Sequence, residues 1–196
     1  MVAVSPFEII AGPASVWVAP VGSTFPALNA LASAITTPWI SLGKTDGGVK
    51  VKVSQSVQRL RVDQLTGPVK AIRTEEDLSV SFALAELTIE ILAAALSNAT
   101  NAMTTTTGST GVIANKMLKL YRGPVVDRWA MLVRGPSPYM DGYAQWEIPI
   151  ITNQSEFEIG YSREDKATVA TEWFALEDSS VTDEGSKFGV LRARTA

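Results

Sequence analysis

A mainly β fold is predicted for this chain: a β-sandwich or partial barrel with one flanking α-helix. Three observations predict it. Short segments of alternating apolar and polar residues recur between glycine, proline and asparagine turn signals along most of the 196 residues. A single stretch, Glu86 to Leu96, carries helical periodicity. Apolar residues make up 46% and charged residues 19%, which marks a globular chain long enough to bury a real core. The expected organisation is one domain over residues 1–196, with a long basic connector at about 44–73 and a polar loop at about 97–111.

The elements follow in order. Ala14 to Ala19 alternates between Gly12-Pro13 and Pro20 and reads as a first strand. Val21 to Pro38, with Gly22, Pro26 and Asn29, reads as a loop with one helical turn, and Trp39 to Gly43 as a short second strand. Gly47-Gly48 opens a long alternating segment, Val49-Lys50-Val51-Lys52-Val53, which runs into the basic connector Arg59 to Pro68. Leu78 to Leu84 alternates again and leads into the helix. Ser97 to Gly111, with four consecutive threonines from Thr104, reads as a solvated loop. Met117 to Tyr121, Trp129 to Val133, Gln145 to Ile151, Glu156 to Tyr161 and Ala167 to Leu176 complete the strand candidates.

The helix has a broad apolar face. Leu87, Ile91 and Ala95 fall on one stripe with Leu92 and Leu96 beside it, and Glu86 and Glu90 sit where acids suit the dipole. Burial of Leu87, Ile91, Leu92 and Leu96, at roughly 1.5–3 kcal/mol each, would pin the helix to a sheet. Asn98 is the expected stop.

Composition also bounds the chemistry. There are no cysteines and no histidines. That removes disulfides, thiolate metal sites, and the commonest general base and metal ligand. Glu75-Glu76-Asp77 are adjacent on a strand and point to alternate faces, so they do not converge as an acid/base pair. Gly108-Ser109-Thr110-Gly111 lacks the lysine of a phosphate-binding loop. No catalytic, metal or cofactor residue is predicted, and an enzyme is not expected. Met1 to Val4 lacks a positive signal-peptide start, and Leu87 to Leu96 is about half of the ~20 residues a bilayer span needs. A cytoplasmic site of synthesis and no membrane contact are therefore expected.

Charge is segregated although the net charge is only −3. Between Lys44 and Arg73 seven basic residues face two acidic ones, a balance of +5; between Glu156 and Glu184 nine acidic residues face two basic ones, a balance of −7. Each run alone reads as a solvated face; together they suit head-to-tail association of copies. Open sheet edges point the same way, because a ring completes each edge with the next subunit, and the strands carry few prolines to block them.

The residues that carry a resemblance lie between Val57 and Leu96. They are the connector Arg59-Leu60-Arg61-Val62-Asp63-Gln64-Leu65-Thr66-Gly67, the acidic strand start, the strand Leu78 to Ala85, and the helix Glu86 to Leu92. This segment resembles the major tail protein, the tail tube subunit, of long-tailed, siphovirus-like bacteriophages. The resemblance implies a structural virion protein that assembles into stacked hexameric rings. Strands of neighbouring subunits join around a lumen through which DNA passes without specific binding. It implies that the connector makes inter-subunit or inter-ring contact through Lys50, Lys52, Arg59, Arg61, Asp63, Gln64 and Lys70. Glu156, Glu158, Glu164, Asp165 and Glu172 become a partner face or a lumen lining. The implied partners are further copies, a tape measure protein, and tail terminator and distal tail proteins, with assembly in the host cytoplasm. Two other readings stand beside it. One is a carbohydrate- or receptor-binding β module built on Trp129, Tyr139, Tyr143 and Trp146; the other is a tail terminator or head-tail joining ring.

Overall fold

The computed structural model describes residues 10–96, 103–121, 123–139, 142–163 and 165–195. Ten strands and one α-helix are formed among them. They are β1 (Ser15–Pro20), β2 (Ile40–Ser41), β3 (Thr45–Arg61), β4 (Pro68–Leu84), α1 (Ile89–Ala95), β5 (Met103–Thr106), β6 (Asn115–Leu118), β7 (Trp129–Pro136), β8 (Tyr143–Asn153), β9 (Val169–Ala175) and β10 (Val190–Ala193). The fold is mainly β, as the alternation predicts.

The large sheet runs β2-β1-β7-β8-β9-β4-β3, with every neighbour antiparallel. One edge of β8 is divided: Ala144 to Glu147 pair with β10, and Ile151 to Asn153 pair with β9. The sheet therefore has two wings that meet along β8. Val16 and Val18 of β1, Val80 and Phe82 of β4, Met131 of β7 and Trp173 of β9 share one buried cluster, so the wings face each other across a single core. Among the described residues the ladder does not close into a barrel, because β2 and β3 end it.

Alternation explains this burial. On β1 the even residues Val16 and Val18 enter the main core, while Trp17 and Ala19 point to the opposite face. There, with Ala130 and Leu132 of β7, they pack under the loop between β1 and β2 through Trp39, Phe25 and Ile35. A buried polar network ties that loop down. Arg134 donates to the carbonyls of Ala30 (2.7 Å) and Ala27 (3.1 Å) and to Gln145 Oε1, and Gln145 Nε2 donates to the Pro26 carbonyl at 3.0 Å and to Glu147. Burial holds the Arg134 guanidinium below its ordinary pKa, and Tyr143 and Glu147 oppose that shift.

Four sequence expectations change. The helix begins at Ile89 rather than Glu86, because Thr88 is extended and its side chain accepts from Ile91 N–H at 3.3 Å, an N-cap. Ile91 is buried in the core, Leu87 and Leu92 pack partly buried against it, and Leu96 is buried at the C-cap; Asn98 lies outside the described residues. The polar loop at 97–111 contains a strand, since β5 pairs with β6 as a separate two-stranded sheet and Glu90 of α1 pairs with Lys116 of β6; residues 97–102 lie outside the described residues. Glu156 to Tyr161 forms no strand, although Phe157 and Ile159 pack against the core while Glu156 and Glu158 are exposed. Finally, the basic connector is a β-hairpin. Strands β3 and β4 each run 17 residues and pair from Thr45↔Leu84 to Arg61↔Pro68.

Candidate functional site

The hairpin of β3 and β4 has two unlike halves. Near the body, Val49, Val51 and Val53 stand opposite Phe82, Val80 and Leu78. Bulging begins at Gly47 and Gly48, where φ is +69° and +83°, values glycine adopts without strain. Beyond this, every residue from 55 to 77 is exposed on both faces. We call this stretch the arm.

Polar cross-strand pairs hold the arm together. Arg73 Nε donates to Gln55 Oε1 at 2.8 Å and the same guanidinium pairs with Glu76 at 2.9 Å, while Ser56 donates to Glu75 at 3.0 Å. Val57 and Arg59 share one face with Arg73 and Ala71; Leu60 and Lys70 share the other with Ile72. At the tip, Leu65 N–H closes a turn on the Val62 carbonyl and Arg61 donates to the Thr66 carbonyl at 2.8 Å. Asp63 and Gln64 sit in that exposed turn. Arg61 is thus partly a staple of its own tip. Among the described residues, Lys50, Lys52, Arg59 and Lys70 make no ion pair. Single apolar side chains (Val57, Val62, Leu65, Val69) stand exposed among these charges.

The acidic residues are only partly gathered. Glu156, Glu158 and Glu172 line one open groove of about 720 Å³ with Ser81, Thr168 and Ala170. Asp165 stands apart, accepting the backbone N–H of Lys166, and Glu164 lies outside the described residues. Other members of the acidic run serve local structure. Asp178 accepts from Ser180 and Asp183 from Ser186 and Gly185, which lowers both carboxyls below their ordinary range, and Glu177 pairs with Lys187 at 2.8 Å, which raises that lysine. Lys166 is likewise raised by its hydrogen bond to Asp46 on β3.

No polar side chain on the arm or in the groove is paired in a way that activates a nucleophile. A model of the family described as phage tail tube protein matches residues 6–133.

The chain belongs to the phage tail tube protein family.

Comparison with curated proteins finds no match. In this tail tube protein the matched range holds the whole arm, α1 and the β5–β6 hairpin, whereas the acidic groove's carboxylates lie beyond it. Among the described residues no helix is long and apolar enough to cross a membrane. The aromatic residues considered for sugar binding do not form one platform. Trp129 is buried in the core and Trp146 packs against it, leaving Tyr139 and Tyr143 exposed.

The sequence reading missed the exposed apolar residues of the arm and one buried polar network. The apolar residues of the arm stand singly among polar ones, so no period exposes them. The Arg134–Gln145–Glu147 network sits at strand positions whose polarity alone would place them in solvent.

Proposed function

We propose that this tail tube protein is a ring-forming subunit whose rings, hexameric and stacked, make the tube through which phage DNA passes. The observation that carries the reading is the arm. A two-stranded ribbon without a covering layer is marginal by itself, and exposed apolar side chains along it mark a surface that another molecule covers. The arm reaches a neighbouring subunit or the adjacent ring, its apolar residues supplying affinity and its unpaired cations setting register. Weak contact with DNA fits a lumen with few cations, and the acidic groove is the candidate lining or partner face. The tube's other partners are a tape measure protein, a tail terminator and distal tail proteins, and assembly takes place in the host cytoplasm.

Charge reversal on the arm tests this. Because Arg61 also ties the tip, Arg59→Glu and Lys70→Glu, on opposite faces, are the cleaner changes. The double variant should keep its circular dichroism and melting temperature and lose rings and tubes in negative-stain electron microscopy. Unchanged tubes would remove the arm from the assembly contact.

A further inference from the structure

Strands β4 and β9 part company at the root of the arm. They pair from Ser79 to Leu84 of β4, and the chain after β9 then turns away, with Leu176 N–H bonding to the Ile150 carbonyl of β8 at 2.9 Å instead of continuing along β4. A cleft of about 750 Å³ opens between the two paths. One wall is the root of the arm, with Arg73, Glu76 and Asp77; the other is the segment 177–189, with Glu177, Glu184 and Lys187. Apolar side chains line it too: Trp146 and Phe188 are half-buried there, and Val53 is 58% exposed.

The two walls are held very differently. The segment 177–189 is tied to itself, with Asp178 N–H on the Lys187 carbonyl at 3.0 Å, Gly189 N–H on the Ser186 carbonyl at 2.9 Å, and Asp183 accepting from Gly185 and Ser186. It is also pressed onto the body, because a Cβ at Gly189 would collide with the Glu147 carbonyl, and β10 begins at the next residue. The arm wall has no such support. Beyond Leu78, among the described residues, β4 and β3 pair only with each other, and a two-stranded ribbon is held less firmly than a wider sheet. The bulge at Gly47 and Gly48, at the base of β3, lets that strand follow a bend. Charge is balanced within each wall, Arg73 with Glu76 at 2.9 Å and Lys187 with Glu177 at 2.8 Å. Both pairs reach solvent, so water competes for them and neither is a strong tie. Asp77 and Glu184 make no ion pair among the described residues.

We infer that the arm is hinged where β4 leaves β9 and has a second position that closes this cleft, Arg73 passing from Glu76 to Glu184 and Lys187 from Glu177 to Asp77. Closure takes Val53, Trp146 and Phe188 out of water, and the mixed charges of the walls find partners across the gap rather than being stranded without one. The tip, with Arg59 and Lys70, is then carried to a second angle, so one subunit offers the same residues in two directions. The hinge belongs to the single subunit and does not depend on the ring-forming reading.

The test uses the absence of cysteine from the chain. Spin labels at Gln58→Cys on the arm and Thr182→Cys on the opposite segment, both exposed sites, report one distance by double electron–electron resonance in the unassembled subunit. Two populations are expected, the shorter rising at least ~3-fold as salt is lowered, because screening weakens pairs across the gap. Arg73→Glu and Glu184→Arg should each remove the shorter population, and the two together should restore it, with circular dichroism unchanged throughout. A single distance at every salt concentration, or two populations indifferent to these charges, would overturn the hinge. Either result would leave the ring-forming reading standing, since an arm fixed at one angle can still reach a neighbour.

Discussion

The body and the arm of this molecule are made from the same two strands, yet they obey different rules. In the body half of β4, Leu78, Val80, Phe82 and Leu84 are all buried, and each faces other elements of one core. In the arm half of the same strand, no residue from Pro68 to Asp77 is buried. Backbone pairing continues without interruption through both halves apart from bulges. Hydrogen bonding therefore does not distinguish them; burial does. A ladder bond contributes only ~1 kcal/mol net, whereas each large buried side chain contributes ~1.5–3 kcal/mol. The body half is held by burial as well as by its ladder, and the arm half by its ladder and exposed polar pairs.

Breaking the body should produce the largest effects. Trp173 is fully buried on β9, and Trp173→Ala should cost ~3–5 kcal/mol of unfolding free energy in a urea titration. Trp173→Phe sharpens the point. The indole Nε1–H of Trp173 has no hydrogen-bond partner among the described residues, so the ring's volume, not its polarity, is what the site uses. The phenylalanine variant should lose less than half as much, and equal losses would contradict that.

The polar tie of the β1–β2 loop ranks next. Arg134→Ala removes the donors to Ala27, Ala30 and Gln145 and leaves Glu147 buried beside them. A loss of ~2–4 kcal/mol is expected. Limited proteolysis should cut faster in the loop between β1 and β2, whose anchors at Pro26, Ala27 and Ala30 are then weakened. A cleavage rate equal to that of the parent would show that Trp39 and Phe25 suffice to hold it.

This contrast also explains what the sequence made legible. Strand β9 announces itself because one face meets the core and period-2 alternation detects a half-buried strand, whereas β1 and β7, buried on both faces, are legible as short apolar runs between turn signals. The arm escapes detection because both of its faces are exposed; Ser54, Gln55, Ser56, Gln58 and Arg59 alternate in geometry but not in polarity. Glu156 to Tyr161 is the converse, a polarity pattern written by Phe157 and Ile159 packing on the core without a ladder to accompany it. The tie around Arg134 is illegible for another reason: its acceptor carbonyl on Ala30 is 104 residues away, and backbone carbonyls leave no mark in sequence. Of the residues expected to make contact, the clustering of charge is readable in sequence, whereas the hydrogen bond of Arg61 to its own tip needs coordinates.

Breaking the arm should have the smallest effect on the isolated subunit and a large one on assembly. Val57 and Ile72 are exposed on opposite faces of the hairpin, so serine at both positions removes little buried surface from the free chain. Val57→Ser with Ile72→Ser should shift unfolding free energy by no more than ~0.5 kcal/mol, the range of ordinary surface changes. Hydrogen exchange in the free subunit should already be faster for amides of 55–77 than for those of β7 and β8, because only the latter need global opening. Assembly should slow the arm's exchange in the parent protein, and tubes should fail in the double variant. If instead the variant loses several kcal/mol as a monomer, the arm is packed on its own body, and the division between a self-supporting body and a partner-seeking arm is wrong.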